Sequence, residues 1–128
     1  MLSGELLTGA LMLLGEIGDA EYNPDYSERA PYIIAAFVGE TFRLDARYRL
    51  AYRLENASIP DRVCIGLDEK FPLVEPLAPL CTLYLASLLI ADESPELSEK
   101  FYDRYCDGIS AFSDSIPSVK ESIKDVYR

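Results

Sequence analysis

An apolar run followed by an acidic amphipathic segment, over residues 77–105, is the clearest pattern in the chain. The run over residues 77–91 is apolar on nearly every face of a helix. Such a helix must lie at the centre of a bundle, because few of its faces tolerate water. The pattern therefore predicts a central helix, joined by the turn at residues 91–95 to a second helix that covers it.

The covering helix carries its own start signals. Ser94 is a good N-cap residue, Pro95 suits the first helical position, and Glu96 complements the positive end of the helix dipole. The helix is predicted to reach about Phe112. Four side chains are expected to cover the central helix: Leu97, Phe101, Tyr102 and Tyr105.

Two further helices are predicted before residue 55. Ser3 is expected to cap the first helix, which should end near Gly18. The second helix should begin near Ser27 or Pro31 and run to about Leu54, because its apolar residues recur at three- and four-residue intervals.

The segment near residues 58–75 has a different pattern. Val63, Ile65 and Leu67 alternate with smaller residues, which is typical of a short extended segment. A helical bundle offers this segment no predicted sheet partner, so its unpaired backbone groups and apolar side chains invite a strand from a neighbour. A loop that folds back on its own bundle is the alternative. If the loop projects, deletion of residues 61–71 should leave the bundle folded and abolish assembly.

These patterns together predict an all-α fold. We expect one domain over residues 1–128, a bundle of four to five helices with an irregular or short β-like loop near residues 58–75. A chain of 128 residues can bury roughly two-thirds of the surface of its unfolded state, which is enough for one core. Residues 118–128 are either a short helix or an extended tail.

Charge and cysteine content narrow the class of protein. The net charge of −10 disfavours sequence-specific or electrostatic binding of nucleic acid and docking on an anionic membrane. The apolar run at residues 77–91 is too short to span a bilayer, and no signal peptide is predicted. Cys64, Cys81 and Cys106 are widely spaced and odd in number, so structural thiols and an intracellular protein are expected.

The residue types of most catalytic sites are missing. The sequence has no histidine, which removes the Ser-His-Asp and Cys-His nucleophile systems and every zinc site that contains histidine. Asp103 and Asp107 share a helix face and form the best candidate pair for magnesium binding or acid–base chemistry. A solvated acidic face is the simpler interpretation. The sequence therefore predicts no enzyme, no cofactor and no metal site.

Arginines and tyrosines supply the remaining candidates for binding. The positive charge is concentrated at Arg43, Arg47, Arg49 and Arg53. These arginines either meet an acidic neighbouring subunit or solvate the outer face of a helix. Most of the nine tyrosines are expected to pack in the core. Tyr22, Tyr26, Tyr84 and Tyr102 are the candidates for half-exposed positions, where the ring packs and the hydroxyl group faces water.

Three separated pieces of the sequence carry a family resemblance. They are Glu28-Arg29-Ala30-Pro31, residues 85–93 with their acidic turn, and Ile123-Lys124-Asp125-Val126-Tyr127. The order in which they occur, around an irregular loop, resembles the small helical head–tail connector proteins (head-completion, or adaptor, proteins) of tailed phages and prophages. The resemblance extends over most of the chain.

The resemblance implies a structural protein that forms a homo-oligomeric ring under the portal protein and joins the DNA-filled head to the tail. Its partners would be other copies of itself, the portal and a tail or second connector protein. Its location would be the host bacterial cytoplasm during assembly and then the head–tail junction of the virion. The tail of the chain would add a strand to the portal or to the next component.

The interface residues expected for this role are Arg43, Arg47, Arg49, Arg53, Val63, Ile65, Leu67, Phe71, Ile123, Val126 and Tyr127. Two other functions stay open. One is a cellular helical adaptor or regulatory module that binds a protein partner, and the other is a small carboxylate-dependent metalloenzyme.

Overall fold

The computed structural model describes residues 1–15, 24–56 and 62–118. Within these ranges the chain forms four α-helices and no β-strand, which confirms the all-α prediction. The helices are α1 (Ser3–Leu13), α2 (Pro24–Ala51), α3 (Ala78–Ile90) and α4 (Pro95–Ser115). A single 3-10 turn over Glu75–Leu77 leads into α3.

Helix α3 lies at the centre of the bundle, as its composition predicts. It contacts α1, α2 and α4, and nine of its thirteen residues are buried. Leu85 and Ala86 are fully buried, and Leu89 is 1% exposed. Burial of each large apolar side chain stabilises the fold by about 1.5–3 kcal/mol, so α3 organises the core.

Helix α4 begins as its sequence predicts. The Ser94 Oγ accepts a hydrogen bond from the Leu97 N–H at 3.4 Å, with Pro95 as the first helical residue. The helix ends at Ser115, slightly beyond the predicted end at Phe112. Helices α3 and α4 are also joined by reciprocal hydrogen bonds, because the Ser87 and Ser98 hydroxyl groups each donate to the other residue's carbonyl oxygen, at 2.9 and 2.8 Å.

The predicted cap of α1 is wrong. Leu2 occupies the N-cap position, and the Ser3 side chain is buried inside the helix without a capping hydrogen bond. The N–H groups of Ser3 and Gly4 instead donate to the carbonyl oxygens of Glu69 and Leu67, each at 2.8 Å. The helix also ends at Leu13, before the predicted stop. A backbone segment distant in sequence therefore caps α1 in place of a local side chain.

Helix α2 is longer at its start than predicted and ends slightly earlier, at Ala51. Pro31 lies inside the helix, where its missing N–H removes one intrahelical hydrogen bond. The buried residues Tyr26, Ala30 and Ile34 on both sides of Pro31 hold the helix against the core. Tertiary contacts thus outweigh a local helix breaker.

The end of α2 is a Schellman-type turn. The Leu54 N–H donates to the Arg49 carbonyl at 2.7 Å and the Arg53 N–H donates to the Leu50 carbonyl at 3.3 Å. Arg53 takes the left-handed conformation, with φ 56°, at the position where glycine is usual.

The loop over residues 62–71 lies against its own bundle, so the second of the two alternatives is observed. The Ile65 N–H donates to the Pro31 carbonyl at 3.0 Å, and the Phe71 N–H donates to the Met1 carbonyl at 2.9 Å. An isolated antiparallel bridge joins Leu2 to Lys70, and no strand forms in this segment. Deletion of residues 61–71 would remove core side chains and the cap of α1, so the expectation of a folded deletion variant is no longer supported.

Several smaller expectations need correction. Tyr26 and Tyr84 are buried rather than half-exposed, whereas Tyr102 is 41% exposed and Tyr22 lies outside the described residues. Tyr26 is 2% exposed, and its hydroxyl group donates a hydrogen bond to Glu93 Oε1 at 3.1 Å.

The three cysteines have different surroundings. All are free thiols: Cys81 is buried, Cys64 is half-buried and Cys106 is exposed on α4. Burial raises the pKa of the Cys81 thiol. A buried structural thiol therefore describes Cys81 and not Cys106. Across the part of the chain that the structure describes, no helix combines the length and apolar character needed to cross a membrane.

Candidate interaction surface

The outer face of α2 is the most unusual surface of the described protein. The inner face of this helix packs on the core through residues such as Ile34, Phe37 and Val38. On the opposite face, six exposed residues follow one another at alternating intervals of four and three: Tyr32, Ala36, Gly39, Arg43, Ala46 and Leu50. We call these six residues the outer stripe. The spacing is that of the contact positions of a coiled coil, in which a second helix packs along the first.

Both ends of the outer stripe are apolar, and between them lie three small residues, Ala36, Gly39 and Ala46, together with Arg43. Tyr32 and Leu50 are 58% and 57% exposed. At the centre, a Cβ atom added to Gly39 would meet no other atom within 4 Å, so the surface there is open. Small residues between large ones let the backbone of another helix approach closely. Phe42 flanks the stripe, and the Arg43 guanidinium lies over its ring at 5.8 Å.

The four predicted arginines divide into two groups. Arg43 and Arg53 are exposed, and Arg47 is exposed while it donates to the Ser113 Oγ of α4 at 3.1 Å. Arg49 is turned towards its own chain. The structure therefore brings three of the four guanidinium groups to the outer surface at one end of α2.

Arg49 belongs to a clamp that sequence reasoning missed. The Asp45 carboxylate is 2% exposed and accepts hydrogen bonds from the Arg49 Nε at 2.8 Å and from the Val74 N–H at 2.7 Å. Arg49 also donates to the carbonyl oxygens of Glu55 and Pro72, at 3.0 and 3.4 Å. This clamp ties α2 to the chain that leads into α3. A polar residue within the apolar stripe of α2 was the sequence signal that could have revealed it.

The predicted loop residues are mostly inside the protein. Ile65 is 1% exposed, and Leu67 and Phe71 are partly buried against the core. Val63 alone among these four is open to solvent, at 81% exposure. The remaining predicted interface residues, Ile123, Val126 and Tyr127, lie outside the described residues.

Glu69 holds the loop in its folded shape. Its carboxylate accepts hydrogen bonds from the Arg62 guanidinium and from the Gly66 N–H. The hydrogen bond from Arg62 makes the largest contribution, followed by that from Gly66, and together they hold the pKa of the Glu69 carboxyl below its ordinary value of 4.5. The loop is thus fixed by its own side chains as well as by α1.

Two of the grooves on the surface of the described bundle are broad and open. The larger, of about 560 Å³, is lined by Glu28, Arg29, Tyr32, Ile33, Leu88 and Ala91. One of its polar residues, Arg29, already donates to the Leu88 carbonyl at 2.9 Å and to Asp25 at 3.3 Å. The smaller, of about 380 Å³, is lined by Gly9, Leu13, Pro79, Thr82, Leu83 and Arg104. Neither groove brings together a nucleophile and a base.

The carboxylates give no metal centre within the described ranges. No group of three or more cysteine, aspartate or glutamate side chains there is placed to hold an ion. Asp103 and Asp107 are both exposed on the outer face of α4.

The buried tyrosines have a structural role. Burial, with a smaller contribution from the Glu40 carboxylate, raises the pKa of Tyr84 to about 12 and also raises that of Tyr105. These two rings lie 5.0 Å apart between their centroids, and both contact Phe37. They remain neutral core residues at physiological pH.

No protein-family model, curated protein or solved structure matches this chain. The surface itself is thus the basis for a functional assignment. Its outer stripe has the spacing of a surface on which a second helix packs.

Proposed function

We propose that this protein is a structural component of the phage head–tail connector type, which assembles as a ring under a portal protein and joins the DNA-filled head to the tail. The connector identity rests on the resemblance of residues 28–31, 85–93 and 123–127. The single observation that supports an assembly role is the outer stripe of α2, an exposed surface with the spacing of a helix–helix contact.

The charge of the protein is consistent with this role. A wall around double-stranded DNA should not hold the phosphates, and a protomer with a net charge of −10 repels them. The exposed residues Arg43, Arg47 and Arg53 follow one another along the C-terminal part of α2 and the turn after it. A restricted basic patch on an acidic protein favours a protein partner of opposite charge over a nucleic acid.

The first test is the sequence of the DNA on either side of the gene. We expect portal, protease and capsid genes upstream and tail genes downstream. A metabolic or signalling operon without virion genes would overturn the connector proposal. A cellular adaptor that uses the same outer stripe for a one-to-one complex would then be favoured.

A second test measures binding to the portal encoded nearby. Electron microscopy of the portal mixed with this protein should reveal an added ring of density at one end of the portal. Leu50→Gln, which changes the exposed end of the outer stripe, should weaken the ring. Lys70→Gln changes an exposed residue of the loop and is the matched control.

A further inference from the structure

The outer face of α4 carries the opposite charge to the exposed end of α2. Six exposed residues recur there at intervals of three and four, and five of them are acidic: Glu96, Glu99, Asp103, Asp107, Ser110 and Asp114. We call this set the acidic row. The exposed Lys100 lies on the same face of α4. Residues 91–115 contain seven carboxylates and only two cations. The row therefore forms a long, strongly negative ridge on one helix.

Among the described residues, no carboxylate of the acidic row forms an ion pair, and the cations of α4 itself are Lys100 and Arg104. The ion pairs formed among the described residues are those of Arg29 with Asp25, Arg49 with Asp45, and Arg62 with Glu69. None of these pairs uses a carboxylate of α4. Carboxylates crowded along one helix repel one another, so cations from a second molecule would relieve that repulsion.

We propose that the outer stripe of α2 packs against the acidic row of α4 in a second copy of this chain. This inference rests on the proposed function, because it specifies the contact between subunits of the ring. The Arg43, Arg47 and Arg53 guanidinium groups would meet carboxylates of the row. The small residues at the centre of the stripe would let the two helices approach.

The lengths of the two surfaces agree. At 1.5 Å per residue, the segment of α2 from Arg43 to its end and the following turn extends about 15 Å. The acidic row from Asp103 to Asp114 extends about 17 Å along α4. The three arginines of one chain can therefore each lie opposite a carboxylate of the acidic row when the two helices pack side by side.

Charge also selects this contact over self-association of α2. Two parallel copies of the outer stripe in register would bring Arg43 of one chain against Arg43 of the other, whereas an antiparallel pair centred on residue 41 would place Arg43 against Gly39 and gain no ion pair. The same surface against the acidic row replaces that repulsion with attraction. When two chains associate through different surfaces, the pair still has one unoccupied outer stripe and one unoccupied acidic row. Further chains can therefore add to it, which gives a ring or a filament.

Disulfide trapping tests the contact with two single-site chains, both in a Cys64→Ser background. The first chain carries Ala46→Cys in the outer stripe and Cys106→Ser. The second keeps the native Cys106, which is exposed beside Asp103 and Asp107 on α4. Cys81 is buried in both chains. Oxidation of an equimolar mixture at high protein concentration should give the mixed dimer in large excess over either homodimer.

Charge reversal provides the second readout. Arg43→Glu with Arg53→Glu in the first chain should reduce the yield of mixed dimer by about tenfold or more, and Asp103→Arg with Asp107→Arg in the second chain should restore it. Lys70→Glu in the first chain should leave the yield unchanged. Circular dichroism of each chain establishes that the exposed substitutions leave the helices folded.

The outcomes separate this inference from the proposed function. Homodimers of the first chain in excess would establish self-association of α2 and overturn the inference, as would a mixed dimer no more abundant than random pairing predicts. Virion genes around the gene would leave the connector proposal standing in either case. A charge-dependent mixed dimer from a gene in a signalling operon would support the contact and overturn the connector.

Discussion

The loop over residues 62–71 and the outer stripe of α2 look alike in sequence, since both place apolar residues where a partner could bind. The structure separates them. The loop buries Ile65 and gives its carbonyl groups to the first turn of α1, whereas Tyr32 and Leu50 of the stripe remain more than half exposed. An apolar residue therefore indicates an interface only when the backbone around it already has its hydrogen-bond partners.

The difference has a simple physical origin. Backbone groups in an irregular loop need partners, and the first N–H groups of a helix need acceptors, so the loop and α1 satisfy one another. The backbone of α2 is satisfied within its own helix. Its outer side chains are consequently free to face solvent or a second molecule.

Within the loop and the outer stripe, the largest expected effect on stability is at Ile65. Ile65→Ala should lower the free energy of unfolding by about 2–4 kcal/mol, because a fully buried side chain is replaced by a cavity. Val63→Ala, in the same loop but at an exposed position, should change it by less than about 0.5 kcal/mol. Urea denaturation of both variants measures the difference. Equal effects would mean that the loop does not belong to the core.

Asp45 comes next. Asp45→Asn should cost about 1–3 kcal/mol. The Val74 N–H and the Arg49 Nε donate to different carboxylate oxygens, and the substitution replaces one of these oxygens with an NH2 group that cannot accept. The matched control, Asp114→Asn, removes an exposed carboxylate and should be nearly neutral. If the two variants unfold at the same denaturant concentration, Asp45 does not clamp α2 to the start of α3.

Arg53 should respond in the opposite direction. Arg53→Gly removes the strain of a left-handed non-glycine residue and should stabilise the protein by about 0.5–1 kcal/mol. Arg47→Gly, within the regular helix, should destabilise it by about 1 kcal/mol. Thermal unfolding followed by circular dichroism gives both signs. Destabilisation by Arg53→Gly would contradict the turn geometry.

The hydrogen bonds of the Glu69 carboxylate should make a smaller contribution to stability, and this contribution should depend on pH. The pKa of Glu69 is lower in the folded protein than its ordinary value of 4.5, so its stabilisation is present above that value and is lost as the pH falls through the folded pKa. Glu69→Gln should therefore be less stable than the parent at neutral pH, and the gap should narrow in acid. Urea titrations from neutral to acidic pH measure this difference in stability. Arg62→Gln should likewise be less stable than the parent protein at neutral pH, by an amount that decreases in acid. A gap that widens in acid would contradict the assigned hydrogen bonds.

The outer stripe should be the least sensitive region for stability. Leu50→Gln should change the free energy of unfolding by less than about 0.5 kcal/mol, because the parent side chain is already exposed. Leu85→Ala, at a fully buried position of α3, should cost about 2–5 kcal/mol. Calorimetry of the two variants sharpens the comparison between core and surface. A large loss at Leu50 would mean that the outer stripe supports the fold itself.

The sequence by itself determined the all-α fold, the central position of α3 and the start of α4. These features depend on local signals: an all-round apolar helix can only be central, and Ser94 with Pro95 begins a helix wherever it lies. The exposed arginines at the end of α2 were also predictable, because they fall outside the apolar stripe of that helix.

Only the tertiary structure decided how α1 is capped, where the loop lies and which arginine is held inside. The acceptors for the Ser3 and Gly4 N–H groups are more than 60 residues away in sequence, and the Asp45 clamp joins residues that are 29 positions apart. Local propensity carries no information about such partners, since they meet only when the core has brought the helices together. The outer stripe became recognisable for the same reason: burial of one face of α2 defined the face that remained open.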